Sequence, residues 1–259
     1  MSFSTQSPFA SLPPVTKNLL IINFIFWLAG VALPNIFPNL NIVDVLGLHY
    51  WQSEKFNIAQ LFTYLFLHGG FSHMFFNMFA VYMFGSTIEN YWGSKRYLIF
   101  YAITGLGAGI VQQLIWTMDF YPLMSALNLG VENNSAAALL AFESELRSIF
   151  SFGSLESASA LDILHMKNLI ANSLITIGAS GAVFGLLFAF GWLFPEVRMM
   201  LLFLPIPIPA RIFVAIYAIV ELFLGVANFS GDNIAHFAHL GGMLFGWLII
   251  LYWRKKRQL

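Results

Sequence analysis

Long apolar stretches separated by shorter polar segments dominate the pattern along this chain. A helix needs about 20 mainly apolar residues to cross the hydrocarbon core of a bilayer. Six stretches come close to this length, at about 18–36, 71–88, 97–117, 171–194, 209–229 and 235–253. The pattern therefore predicts an all-α integral membrane protein with six transmembrane helices, folded as a single membrane domain over residues 1–259.

One polar interruption, at about 118–170, is much longer than the others. Within it, residues 136–150 place apolar and charged side chains at helical spacing on opposite faces. The apolar positions are Leu139, Leu140, Phe142, Leu146, Ile149 and Phe150, and the charged ones are Glu143, Glu145 and Arg147. We expect an amphipathic helix that lies on the membrane surface or on the bundle. A disordered insertion is the alternative.

The composition is also that of a membrane protein. Of the 259 residues, 59% are hydrophobic and only 9% are charged, and the mean hydropathy is +0.76. Soluble domains carry about 25% charged residues. The absence of cysteine excludes disulfides and thiol nucleophiles. Residues 1–16 are polar and lack a basic segment, so we expect no cleavable signal peptide.

Basic residues are distributed unevenly between the two sides of the predicted topology. With six spans, the termini and the even-numbered loops hold nine Lys and Arg residues, and the odd-numbered loops hold Lys55, Arg147 and Lys167. Short loops rich in Lys and Arg stay in the cytoplasm. The sequence therefore predicts that both termini are cytoplasmic and that the 118–170 segment lies outside.

Ser180 and His239 each lie near the start of a predicted span. Lipid offers neither side chain a hydrogen-bond partner, so both should face the interior of the bundle, where an ionisable residue is a candidate for function. Each is followed by two glycines four residues apart, a spacing that allows helix backbones to approach closely. We expect the fourth and sixth spans to pack through these glycines, with the Ser180 hydroxyl within reach of the His239 imidazole. The glycines are Gly181, Gly185, Gly242 and Gly246.

Three motifs in order along the chain resemble those of the rhomboid family of intramembrane serine proteases. They are Gly178-Ala179-Ser180-Gly181, Ala238-His239-Leu240-Gly241-Gly242 with Gly246, and His73-Met74-Phe75-Phe76-Asn77. The resemblance extends over about 57–253 and implies a rhomboid-like bundle of six helices. It also implies that Ser180 is the nucleophile and His239 the base of a catalytic dyad.

The resemblance assigns further residues to the site. His73 and Asn77 would form an oxyanion hole with the Ser180 backbone N–H, and Gly178, Gly181 and Phe184 would line the site. Phe184 stands where the family often has Tyr, and Ala59-Gln60 stands where many bacterial members carry Trp-Arg. His236 is not a motif position, and it would line the site or cover it from the outer loop. His68 is interpreted as a loop or interface histidine.

Two acidic residues, Glu221 and Glu89, are interpreted mainly as structural. Glu221 is a weak candidate for a third catalytic member, and we expect it to be paired within the bundle or to extend toward the interface. Glu89 is expected to cap helix ends. No metal site is predicted, because no HExxH motif occurs and the nearby carboxylates are not at ligand spacing. No cofactor is expected either.

The resemblance implies hydrolysis of single-span transmembrane substrates near their outer membrane boundary. The partners would be these substrates and the lipid bilayer, with no nucleic acid, and the location a bacterial cell membrane. The fifth helix, ending near Asn228-Phe229-Ser230-Gly231-Asp232, would move to admit substrate. Two alternatives stay open: an inactive rhomboid-like protein that binds membrane clients, and a carrier with a relay of His73, His239 and Glu221. A carrier predicts repeated halves, which this sequence does not have.

Overall fold

The computed structural model describes residues 12–150, 154–201, 204–227, 229 and 234–256. The structure is mainly helical. Its helices are α1 (Pro14–Ile36), α2 (Ile42–Leu46), α3 (Gln60–Thr63), α4 (Phe71–Ala80), α5 (Ser86–Trp92), α6 (Ser94–Asn133), α7 (Glu143–Ile149), α8 (Ala160–Ser173), α9 (Ser180–Leu193), α10 (Ala210–Ala227) and α11 (His236–Lys255). Short strands are β1 (Leu48–His49), β2 (Ile175–Thr176), β3 (Arg198–Leu201) and β4 (Leu204–Pro209). Three short 3₁₀ helices cover Tyr64–Phe66, Ala137–Phe142 and Leu155–Ser157.

Among the described residues, α1, α6, α10 and α11 are the four helices long and apolar enough to cross a membrane. The apolar helix α9 is shorter, with 14 residues. A π turn, Val81–Gly85, joins α4 to α5 in one helical segment over 71–92. The all-α membrane fold is therefore confirmed, and the count of six spans stays a prediction.

Two predicted boundaries are wrong. The fourth span does not begin at 171, because α8 ends at Ser173 and an extended segment separates it from Ser180, where α9 begins. The third span does not end at 117, because α6 continues to Asn133 and has 40 residues. At 1.5 Å per residue such a helix is about 60 Å long, twice the hydrocarbon thickness of about 30 Å.

The N-terminus of α1 is capped by a carboxylate from α5. Glu89 accepts hydrogen bonds from the backbone N–H groups of Val15, at 2.9 Å, and Thr16, at 2.7 Å. The Thr16 hydroxyl also donates to Glu89, at 2.8 Å. The first N–H groups of a helix lack intrahelical partners, and the helix dipole favours a negative charge beside them. The prediction that Glu89 caps helix ends is confirmed.

By its internal contacts, the chain divides into two compact units. The first consists of Met1–Leu48, Ala59–Gln112 and Thr176–Leu259, and the second of His49–Ile58 and Gln113–Ile175. All the residues predicted to form the catalytic site belong to the first unit. The single membrane domain over 1–259 stays a prediction.

The second unit has a hydrophobic core of its own. Leu139, Leu146 and Ile163 are fully buried there, with Leu123 and Leu127 from α6. Within the predicted helix at 136–150, residues 143–149 are α-helical and 137–142 form a 3₁₀ helix. Its position on the membrane surface or on the bundle stays a prediction. Much of the 118–170 segment is helical, because these apolar side chains pack against each other rather than facing water.

Candidate active site

Ser180 and His239 lie in the first turns of α9 and α11. Nε2 of the His239 ring is 2.8 Å from Oγ of Ser180, a hydrogen-bond distance. His239 is buried. A serine hydroxyl beside an imidazole nitrogen can transfer its proton as the oxygen attacks a carbonyl carbon. The structure therefore brings together the two side chains that the sequence singled out.

The close approach of α9 and α11 depends on glycine. A Cβ atom added to Gly242 would overlap the carbonyl oxygen of Gly181. A Cβ atom at Gly246 would lie 3.4 Å from the carbonyl oxygen of Gly185. The backbone of α9 therefore occupies the space that side chains on α11 would need, which holds Ser180 beside the N-terminal turn of α11.

The Cα atoms of Gly181 and Gly185 face α6, which lies where their side chains would be. A Cβ atom at Gly185 would lie 2.6 Å from the Cβ and Cγ2 atoms of Thr104, and one at Gly181 would overlap the Cβ atom of Ala108. The glycines of α9 therefore allow close packing against two helices. Their backbone carbonyls contact α11, and their Cα atoms contact α6.

Gly178 has a backbone conformation that other residues rarely adopt. Its φ angle is +125°, and a Cβ atom there would lie 2.8 Å from the Cε1 and Nε2 atoms of His73. Both the conformation and the space therefore require glycine. The same contact brings the imidazole of His73 against the turn that precedes Ser180.

His73 and Asn77 lie on one face of α4, one turn apart. Nδ1 of His73 lies 3.4 Å from the backbone N–H of Gly69, a long hydrogen bond in which the ring nitrogen accepts. In that tautomer Nε2 carries the hydrogen and can donate. Asn77 is buried and donates one amide hydrogen to the carbonyl oxygen of His73, at 2.9 Å. This face supplies the N–H donors that an oxyanion hole needs.

The His68 ring packs edge-on against His73, with 5.0 Å between ring centroids. Burial lowers the pKa of His68 to about 4, and the neighbouring His73 adds to this effect. His68 lies in the loop before α4, as the sequence indicated, and it is neutral at physiological pH.

Phe184 stacks on the ring of His239. The ring centroids of Phe184 and His239 are 4.2 Å apart, and the ring planes differ by 7°. A stacked aromatic ring restricts rotation of the imidazole about χ2. The replacement of Tyr by Phe at this position therefore preserves the stacking face.

Glu221 on α10 reaches both histidines of the first turn of α11. Its Oε2 atom lies 2.7 Å from Nδ1 of His236 and 2.9 Å from Nδ1 of His239. All three residues are buried. Glu221 is therefore paired within the bundle, which is one of the two positions expected for it. One of its two partners is His239, the candidate catalytic base. The sequence carried one signal, an acidic residue inside an apolar helix, which is by default a candidate for function.

The same three residues can offer ligands to a metal ion. Glu221, His236 and His239 each present one ligand atom, and these atoms lie within 4.8 Å of one another. The statement that no carboxylate lies at ligand spacing is wrong, because the spacing that matters is set by the fold and not by the sequence. The predicted absence of a metal stays a prediction.

Comparison with known proteins identifies the family. The chain matches a family model described as the rhomboid domain over residues 55–126 and 134–256, which is well over half of its length. The chain belongs to the rhomboid family. The resemblance drawn from the three motifs is therefore confirmed, and a rhomboid protein is a multi-pass membrane protein.

Two curated relatives are similar to part of this rhomboid chain. RHOMBOID-like protein 6, mitochondrial, of Arabidopsis thaliana is 29% identical over 128 residues, which cover 46% of this chain and 41% of the relative. Rhomboid protein 1, mitochondrial, of Saccharomyces cerevisiae is 32% identical over 133 residues, which cover 42% of this chain and 38% of the relative. The chain thus spans about two fifths of the length of these relatives.

Proposed function

We propose that this chain is an intramembrane serine protease that hydrolyses peptide bonds of transmembrane proteins. The observation that carries the proposal is the 2.8 Å hydrogen bond between Nε2 of His239 and Oγ of Ser180. The family membership and the buried position of His239 support it. In this proposal Ser180 is the nucleophile and His239 is the general base.

The reaction proceeds in two stages. Oγ of Ser180 attacks the carbonyl carbon of the scissile peptide while Nε2 of His239 takes the hydroxyl proton. The tetrahedral intermediate then collapses, the C–N bond breaks, and His239 returns the proton to the leaving amine. In the second stage a water molecule gives a proton to His239 and attacks the acyl-enzyme ester. The C–O bond to Ser180 breaks, and the serine regains its proton.

The negative charge that develops on the carbonyl oxygen needs hydrogen-bond donors. Nε2 of His73, the second amide hydrogen of Asn77 and the backbone N–H of Ser180 are the proposed donors. Each is fixed before substrate arrives, since Gly178 holds His73 against the turn and Asn77 is bonded to the His73 carbonyl. Donors that need no reorganisation stabilise the transition state most effectively.

The proposed substrates are single-span transmembrane proteins that enter from the lipid bilayer. The side of α10 away from the site carries exposed apolar residues, among them Ile212, Ile216, Ile219 and Phe223, as expected of a face in contact with lipid. Movement of α10 would admit a substrate beside Ser180. The segment at 228–232, where this helix was expected to end, lies mostly outside the described residues.

We propose that both termini lie on the cytoplasmic side, which follows from the nine basic residues assigned to that side. A bacterial cell membrane was expected, and both relatives are named as mitochondrial. The bacterial and the mitochondrial locations share only the position of the chain in a membrane, as a multi-pass protein.

The second candidate function is that of an inactive rhomboid-like protein that binds membrane clients. Such a protein has no need for an activated serine. The intact Ser180–His239 hydrogen bond, its stacked Phe184 and its donors His73 and Asn77 favour the protease.

The test is cleavage of a reporter transmembrane substrate in proteoliposomes. The full chain should cut the reporter, and Ser180→Ala should reduce the rate to background. Ser148→Ala, which removes an exposed hydroxyl on α7, serves as the matched control and should keep full activity. Undiminished cleavage by Ser180→Ala would refute the mechanism. Reporter binding without cleavage by the wild type would favour the client-binding function.

A further inference from the structure

We propose that Glu221 is the orienting carboxylate of a Ser180–His239–Glu221 triad, and that His236 positions this carboxylate. The inference deepens the proposed protease function and rests on it. Neither Glu221 nor His236 belongs to the three motifs, so the assignment comes from the geometry at α10 and α11. Both residues act through His239 and are positioning residues.

One carboxylate oxygen of Glu221 accepts a hydrogen bond from each of the two imidazoles. Oε2 of Glu221 is 2.7 Å from Nδ1 of His236 and 2.9 Å from Nδ1 of His239. These are the lengths of charge-assisted N–H···O⁻ hydrogen bonds. Since an ionised carboxylate can only accept, each Nδ1 atom carries a hydrogen.

The tautomer of His239 follows from this bond. A neutral imidazole has one N–H, and the carboxylate draws it to Nδ1. Nε2 then presents its lone pair to the Ser180 hydroxyl, at 2.8 Å. In the other tautomer Nε2 would carry the hydrogen and could not accept the serine proton. After the transfer, His239 is an imidazolium, and the negative charge of Glu221 stabilises it.

His236 fixes the position of the carboxylate. His236 and His239 are three residues apart in α11 and share one face of the helix. A glutamate side chain has three rotatable bonds, and a second hydrogen bond to the same oxygen limits its movement. Gly225 lies one turn after Glu221 on α10, and a Cβ atom there would lie 3.2 Å from Cβ of His236. The absence of a side chain at Gly225 lets α10 approach α11 closely enough for both hydrogen bonds.

The geometry favours hydrogen bonding over metal ligation at this cluster. A zinc ion would take the Nδ1 lone pairs and would lie about 2.0–2.2 Å from each nitrogen and oxygen. The observed Nδ1–Oε2 distances of 2.7 and 2.9 Å instead fit a hydrogen between each pair. A metal on Nδ1 of His239 would also leave the hydrogen on Nε2, which could then not accept the Ser180 proton. The hydrogen-bonded cluster therefore predicts that cleavage is not lost on chelation.

The kinetic test compares full-length variants in proteoliposomes. Glu221→Gln keeps the shape and removes the charge, so kcat should fall by on the order of 10²–10⁴, with KM nearly unchanged. Glu196→Gln is the control, because Glu196 is exposed and forms a surface ion pair with exposed Arg211, at 2.8 Å. His236→Ala should lower kcat about tenfold, the loss of one hydrogen bond to a charged group. His236→Asn, which places an N–H donor near the Nδ1 position, should recover most of that loss.

A second test does not depend on cleavage. In ¹⁵N-histidine-labelled wild type, NMR should show His239 with its hydrogen on Nδ1. In Glu221→Leu, which cannot accept that hydrogen, His239 should populate the Nε2–H tautomer. This outcome supports the triad even if no reporter is cut, so failure of the protease function and failure of the triad are distinguishable.

Three results would overturn the inference. The first is a Glu221→Gln variant that keeps the wild-type kcat while Ser180→Ala is inactive. The second is a wild-type His239 with its hydrogen on Nε2. The third is activity that is lost on treatment with EDTA and restored by zinc, which would make the cluster a metal site.

Discussion

The side chain of Asn77 donates one of its two amide hydrogens to the His73 carbonyl oxygen, at 2.9 Å. The second hydrogen is therefore available to an oxygen that gains charge during the reaction. Asn77→Ala removes this donor. We expect kcat to fall by roughly 10²–10³ with a small change in KM, because the oxyanion exists only in the transition state and its intermediate.

The matched control for Asn77 is Asn35→Ala. The Asn35 amide also donates to the carbonyl oxygen four residues earlier, that of Val31 at 3.0 Å, but it is exposed on α1. Its loss should leave turnover unchanged. Steady-state kinetics with the reporter substrate make the comparison. If Asn77→Ala changes KM alone, Asn77 binds or positions substrate instead of stabilising the oxyanion.

For single residues, the sequence predicted the candidates whose spacing is local, but not the pairing of Glu221 with His236 and His239, which the fold assembles. Ser180, His239, His73 and Asn77 lie in short motifs. Glu221 lies 18 residues from His239, across a helix end, and no local spacing links them. Its pairing depends on how α10 packs on α11, which the pattern of apolar residues does not specify.

The contact between α9 and α11 is close because the backbone of Gly181 occupies the place of a side chain on Gly242. Gly242→Val would force its branched side chain into the carbonyl group of Gly181, and a backbone carbonyl cannot rotate away as a side chain can. Overpacking of this kind costs about 1–3 kcal/mol or more. We expect thermal stability in detergent micelles and cleavage to fall together.

Gly30→Val is the control for Gly242→Val. Gly30 is also inside a helix, α1, but a Cβ atom there would have open space within 4 Å. The control should keep its stability, because valine has a slightly higher helix propensity than glycine and meets no other atom there. A Gly242→Val protein as stable and active as Gly30→Val would contradict this account of the contact.

Helices were the easiest elements to predict, and their ends were the hardest. The apolar stretches located α1, α6, α10 and α11, the four long apolar helices of the described residues, because a helix that crosses lipid must be apolar. The start of α9 was missed because the segment between α8 and α9, which includes Gly178 at φ +125°, is also largely apolar. The end of α6 was missed because residues 118–133 are less apolar, although their Leu123, Met124 and Leu127 are buried in the core of the second unit.

At the scale of the whole molecule, the second unit has its own buried core, so its stability can be changed separately from that of the candidate site. Leu146→Ala would leave a cavity among fully buried side chains, and such changes cost about 2–5 kcal/mol. We expect faster amide hydrogen exchange in 113–175, while reaction of Ser180 with a fluorophosphonate probe continues. Ile149→Ala, on the same helix but 52% exposed, is the control.

Cleavage of several reporters by Leu146→Ala distinguishes two possible roles of the second unit, substrate recognition and structural support. A Leu146→Ala protein that labels normally but cuts a different set of reporters would assign substrate recognition to this unit. Loss of labelling together with faster exchange would assign it a structural role. Unchanged exchange in 113–175 would contradict the buried position of Leu146.

The π turn at Val81–Gly85 determines how α4 and α5 are rotated relative to each other within the helical segment over 71–92. Each residue of an α-helix advances the chain by about 100° around the axis, and a π turn absorbs an added residue. His73 and Asn77 precede this turn, and Glu89, which caps α1, follows it. Deleting one residue between 81 and 85 would convert the π turn into a regular α-helical turn, so Glu89 would keep its orientation relative to His73. Deleting one residue between 74 and 80, in the regular part of α4, would instead rotate Glu89 by about 100° relative to His73. A single-residue deletion should therefore be tolerated within the π turn more readily than in α4.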